Sequence, residues 1–117
     1  MHTLIIGTTK VRQEIEPLLD AGIELSWAHE FDMALKRLEE SDVDVVIFDC
    51  REPTAAGYHR LKSLLSRLPV TTRVLAIVEQ LPEEEFFSES GVIYLTPPVD
   101  LKDIQWFVRS ETMKQMA

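Results

Sequence analysis

Val43-Asp44-Val45-Val46-Ile47-Phe48-Asp49, followed by Cys50 and Arg51, with Pro53 and Gly57 beyond, is the stretch that decides the fold. An almost unbroken run of β-branched and aromatic residues reads as a strand buried on both faces, as strands of parallel sheets are. The run closes on a carboxylate. Open α/β sheets gather ligands and reacting groups just outside the carboxyl ends of their strands, so Asp49 is the first candidate for a functional residue.

Two further runs share this character, Leu4-Ile5-Ile6 and Val74 to Val78, while Ile23 to Trp27 and Val92 to Leu95 complete a set of five strands. The segments between them carry helical period. Val11, Ile15, Leu18 and Leu19 share one face, as do Phe31, Ala34, Leu35 and Leu38, then Leu61, Leu64, Leu65 and Leu68, and finally Leu101, Ile104 and Val108. Pro17 falls inside the first of these helices, where it is expected to bend the helix or cost about 3 kcal/mol unless its position is favourable. The interval from Gln80 to Gly91 leaves room only for a short or irregular fourth helix. Strict alternation of strand and helix predicts a doubly wound five-stranded parallel sheet of flavodoxin-like order 2-1-3-4-5, with helices on both faces. Its crevice then lies outside strands one and three, between Gly7-Thr8-Thr9-Lys10 and Asp49-Cys50-Arg51.

The 117 residues suit one domain spanning 1–117, large enough to bury a core without staples. Apolar content of 45% and charged content of 27% argue against disorder. No apolar stretch approaches the roughly 20 residues that span a bilayer, and the start Met1-His2-Thr3 lacks the basic flank and apolar core of a signal peptide, so a cytoplasmic location is expected. One cysteine excludes an internal disulfide and a multi-cysteine metal site. With 12 basic against 20 acidic residues and a net charge of −8, unaided nucleic-acid binding is not expected, because such binding needs basic groups to neutralise phosphates.

The spacing of Asp49, Pro53 and Gly57 resembles that around the phosphate-accepting aspartate of bacterial response-regulator receiver domains, and the resemblance covers essentially the whole chain. Tyr94 falls where that family carries a switch aromatic on strand five, and Pro98 matches the proline that follows its strand-five lysine. The rest of the family's catalytic set is missing. Gly7 and Thr8 stand at the positions of the two acidic residues that help bind a divalent ion, Pro97 at that of the phosphoryl-contacting lysine, and Val78 near that of the strand-four hydroxyl. Hard cations want oxygen ligands that usually include carboxylates, and one aspartate is a weak anchor. The resemblance therefore implies a pseudo-receiver: a non-catalytic regulatory domain of bacterial signal transduction, without metal or cofactor, in which Asp49 is a vestigial phosphoacceptor. It would act through a protein partner or a homodimer, or on an output module such as a transcription factor. Two alternatives stay open, a conventional receiver weakly phosphorylated on Asp49 and a flavodoxin-like module binding a small anion at the Gly7 to Lys10 turn.

Several residues carry a sharp and a plain reading. Asp49 is expected to be stabilised by local hydrogen bonds or by a cation, which Lys10 or Arg51 could supply. Gly7 to Lys10 lacks the full spacing of a phosphate loop, so a helix N-cap by Thr8 or Thr9 is the simpler reading. Cys50 should point away from Asp49, with no base or resolving thiol to make it reactive. His2, His29 and His59 show no ligand spacing. His59, Arg60, Lys62 and Arg67 make a basic face opposite a leucine stripe, which is a solvated surface or a site for an acidic partner. Phe86 and Phe87 are adjacent on a short helix and diverge by about 100°, so one should be exposed. Beside them Glu83, Glu84, Glu85 and Glu89 form an acidic rim. Trp106, Phe107 and Val108 give the last helix more apolar surface than one stripe needs. Phe86, Phe87, Tyr94 and Trp106 are thus the expected interaction surface, formed by the fourth helix, fifth strand and last helix.

Overall fold

The chain is described by a computed structural model over residues 1–19, 22–51, 55–69, 71–79, 92–96 and 98–116. Its elements run β1 (His2–Ile6), α1 (Thr9–Ile15), a 3₁₀ turn (Glu16–Leu18), β2 (Glu24–Ala28), α2 (Phe31–Glu40), β3 (Val45–Asp49), α3 (Ala55–Arg67), β4 (Arg73–Ile77), β5 (Ile93–Leu95) and α4 (Leu101–Met116). All neighbouring strands pair in parallel, in the order β2-β1-β3-β4-β5 expected from the sequence.

Period-two alternation in the strands divides the apolar residues between two cores, one on each face of the sheet. Leu4, Ile6, Val46, Phe48, Val74 and Ala76 pack on one side with Ala34 of α2 and with Leu61 and Leu64 of α3. Ile5, Val45, Ile47, Leu75 and Ile77 face the other side, against Val11 and Ile15 of α1 and Ile104, Phe107 and Val108 of α4. This is why the central strands read as continuous apolar runs: each residue has a helix-covered face to enter. Burying one such side chain contributes about 1.5–3 kcal/mol, an upper figure because the unfolded chain already hides part of that surface.

The ends of several elements differ from the sequence expectation. The first helix stops at Ile15, and Pro17 sits at the start of the 3₁₀ turn, where its missing N–H leaves no intrahelical bond unmade. Leu18 and Leu19 are accordingly half-buried beyond the helix. Gly22, with φ of 97°, takes the left-handed turn into β2 that a side chain would strain. Val43 is buried but lies outside the β3 ladder, which begins at Val45; β4 in turn starts one residue early, at Arg73. At that pole the chain is tied by polar contacts. The His2 N–H donates to Asp44 Oδ2 at 2.8 Å, and Glu111 of α4 lies buried with Arg73 Nε at 3.5 Å and Lys114 Nζ at 3.2 Å. Gln80 to Gly91, with its expected short helix and with Phe86, Phe87 and the four glutamates, lies outside the described residues.

Adjacent residues on α4 have opposite environments: Phe107 is 2% exposed and Trp106 65%. Phe107→Ala is expected to cost about 3–5 kcal/mol in urea unfolding, and Trp106→Ala less than about 0.5 kcal/mol. Similar losses for the two would contradict the assigned faces.

Candidate functional site

The register Ile6↔Phe48 brings Gly7 abreast of Asp49 at the carboxyl ends of β1 and β3, where the chain leaves β1 toward β2 on one side and reaches β3 on the other. Gly7 is fixed from three directions. Its N–H donates to Ala28 O at 3.0 Å, its carbonyl accepts from Trp27 Nε1 at 3.0 Å, and its α-carbon lies against Asp49. A Cβ at Gly7 would stand 3.2 Å from Asp49 Cβ and 3.3 Å from Val11 Cγ1, closer than ordinary contact allows. Thr8 then caps α1, accepting from the Val11 N–H at 3.4 Å, so the plainer reading of this turn holds.

Asp49 is held by Arg51. The guanidinium donates from Nε to Oδ1 at 2.9 Å and from Nη2 to Oδ2 at 3.1 Å, and the Arg51 backbone N–H adds a third bond to Oδ1 at 3.1 Å. Both carboxylate oxygens are therefore engaged in a planar fork, the strongest geometry open to this pair of side chains. The Asp49 side chain is 11% exposed and that of Arg51 31%, so solvent screens the pair only in part. The hydrogen bond that Arg51 donates to Asp49 raises the Arg51 pKa above its ordinary value despite partial burial, and the charges of Asp49, Glu14 and Glu79 act in the same direction. Of the two candidate cations, Arg51 makes the pair; Lys10 is exposed on α1 and takes no part.

An open crevice of about 670 Å³ extends from this point. Phe31 and Phe48, stacked with ring centroids 6.2 Å apart, stand at one wall, and His29, Glu30, Asp32 and Arg60 bring mixed charge to the rim. Cys50 turns away from Asp49 into the core shared with α2 and α3; burial, with a smaller contribution from the Asp49 charge, pushes its thiol up to about 12. It is inert as a nucleophile at neutral pH.

These residues do not fit a divalent cation. Gly7 and Thr8 bring no carboxylate to Asp49, and a metal at Asp49 would have to displace a guanidinium bonded to both oxygens. Among the described residues no group of three or more His, Cys, Asp or Glu is arranged to hold a metal ion. Val78, fully buried, presents an isopropyl group to the core; its N–H donates to Leu95 O at 2.8 Å. Tyr94 is half-buried against the core on the α2 and α3 side. Pro97 and Pro53 lie outside the described residues. On α3, His59, Arg60, Lys62 and Arg67 are exposed opposite buried Leu61 and Leu64.

One contributor escaped the sequence reading. Trp27 counts there only as the end of an apolar strand, yet its indole reaches the Gly7 carbonyl, with the Arg12 guanidinium over its ring at 4.9 Å and His29 beside it at 5.3 Å. Its signal is a tryptophan at the carboxyl end of an edge strand, where one end of the ring meets backbone and the other stays wet.

Among solved structures the chain is similar to a CheY-like response regulator receiver domain from Methylobacillus flagellatus, with 21% identity, a TM-score of 0.74, and 95% of this chain and 98% of that chain covered. It is likewise similar to a two-component response regulator from Clostridium difficile, at 18% identity and a TM-score of 0.76 over 100% of this chain and 99% of that chain. A response regulator receiver domain protein from Clostridium thermocellum gives 22% identity and a TM-score of 0.76 over 98% and 96%. No protein-family model matches the chain, and neither does any curated protein. At these identities the likeness establishes the fold: the chain has the CheY-like receiver fold.

Two outcomes follow from the geometry. Arg51→Ala and Asp49→Asn should each destabilise by about 1–2 kcal/mol and the double variant by less than their sum, a coupling of about 1 kcal/mol in urea unfolding; strict additivity would mean the fork contributes nothing. Cys50 gives the second. Between pH 9, the ordinary thiol value, and about 12 the unfolded chain loses the thiol proton while the native chain keeps it. Stability should therefore fall as pH rises through this window, by up to about 1.4 kcal/mol per pH unit more than in Cys50→Ala, as read from paired urea titrations in reductant.

Proposed function

We propose that this chain is a regulatory domain of the receiver type in bacterial signal transduction, non-catalytic, and working through protein contacts instead of an aspartyl phosphate. The observation that carries this reading is the fork of Arg51 on both oxygens of Asp49. Attack on a phosphorus atom requires one of those oxygens to be free and the charge on the incoming phosphoryl oxygens to be neutralised. Here the nearest cation is already bound to the would-be nucleophile, and Gly7, Thr8 and Val78 offer no replacement. Two unit charges at ~4 Å repel by about 4 kcal/mol at an effective dielectric of 20, so an unassisted encounter is slow as well as blocked.

The partner surface in this reading is the edge formed by β5 and α4. Trp106 and Met113 lie seven residues apart on α4, hence on one side of the helix, and are 65% and 70% exposed. Exposed tryptophan and methionine are common anchors of protein contacts. The occupant is a protein partner or a second copy of the chain, and the regulated activity belongs to that partner or to an output module such as a transcription factor. No helix among the described residues is long and apolar enough to cross a membrane. A cytoplasmic place in the signalling pathway goes with the reading.

Amide spectra recorded with magnesium and beryllofluoride test it. The expected result is no saturable shift at Gly7, Asp49 or Tyr94, together with concentration-dependent broadening along α4. Saturable shifts at those three residues would restore the phosphoacceptor. Shifts confined to Gly7 to Lys10 on titrating inorganic phosphate would favour a small-anion binder.

A further inference from the structure

The Asp49–Arg51 pair is joined through Gly7 to a second set of contacts on the β2 edge of the sheet. Trp27 Nε1 donates to the Gly7 carbonyl at 3.0 Å, on the peptide that leads into Thr8 and α1. The ring is itself flanked on two sides. Arg12 lies over its face at 4.9 Å while bonded to Glu16 at 3.1 Å, and His29 packs 5.3 Å from it. On its inner side Gly7 meets Asp49 so closely that one added carbon would stand 3.2 Å from Asp49 Cβ. The Gly7 peptide thus packs beside Asp49 Cβ, and a shift of that peptide changes the packing at the root of the carboxylate. The indole bond, with the Gly7 N–H bond to Ala28 O, ties that peptide to β2.

We propose that Trp27 is a positioning residue for the Asp49–Arg51 pair: its hydrogen bond to Gly7 seats the first β–α turn against Asp49, and the fork closes because of that seat. The pair and the indole form one clamp across β2, β1 and β3, in which the ends of the strands are held by direct contact. This inference rests on the standing ion pair described above, and it makes the β2 edge a point from which that pair can be loosened. Trp27 is half-buried and on an edge strand, so an agent that draws the indole outward would act on Arg51 without entering the crevice.

The test replaces Trp27 by 3-benzothienylalanine, which keeps ring size and stacking but lacks the N–H, and follows solvent exchange of the Arg51 Nε–H by NMR. Exchange should quicken roughly fivefold, the factor that corresponds to losing a hydrogen bond of about 1 kcal/mol, and the Gly7 carbonyl resonance should move. Trp27→Phe should do the same. Trp106→Phe, at the other tryptophan, should leave both signals unchanged. An Arg51 Nε–H that exchanges at the wild-type rate in the benzothienyl variant would overturn the proposal. So would an equal response to Trp106→Phe. The wild-type beryllofluoride result is independent of both: a shift there defeats the phosphate-free reading, whereas an unmoved Arg51 signal defeats only the clamp.

Discussion

The fork of Arg51 on Asp49 is the interaction on which the character of this chain depends. A carboxylate only 11% exposed at the end of a buried strand requires a partner, because burial of an unpaired charge costs several kcal/mol. Arg51 supplies it from two residues along the same chain, with its backbone N–H as well as its side chain. The charge of Asp49 is thereby compensated without any bound ion. In the proposed reading, Asp49 belongs to the scaffold.

The sheet makes this possible. Parallel pairing of β1 and β3 in the register Ile6↔Phe48 sets Gly7 beside Asp49, where a Cβ would be tighter than nearly all real contacts unless Asp49 gave way by a few tenths of an ångström. Two apolar cores, one on each face, fix the strands against the helices that cover them. Trp27 finishes the arrangement from the edge. The consequence is a crevice whose floor is structural while its rim still carries His29, Glu30, Asp32 and Arg60.

The fold was legible because strand residues buried on both faces leave an unmistakable apolar run, and because helix stripes recur at three and four residues. Asp49 stood out for the same reason, as a charge ending such a run, and Arg51 was one of two nearby cations that could pair with it. The choice between Arg51 and Lys10 lies in the tertiary arrangement: Lys10 is the second residue of α1 and is exposed, its place on the helix fixed by the Thr8 cap. Helix and strand ends were less legible, since Pro17 could bend the first helix or occupy a favourable position, and it sits within the 3₁₀ turn Glu16–Leu18. Trp27 left only the weak signal of a tryptophan near the end of a strand. Its role depends on β2 lying next to β1 in space, a long-range pairing that no local pattern around residue 27 encodes. The division of Trp106 from Phe107 between solvent and core follows from helical period, once one of them is known to face the sheet.

The most direct test of the account is intact-protein mass measurement after incubation with magnesium and acetyl phosphate, alongside a receiver known to accept phosphate as a positive control. The expected result is an unchanged mass for this chain under conditions that fully modify the control. A gain of one phosphoryl group that disappears in Asp49→Asn would contradict the account, because it would show Asp49 free to leave the fork and react.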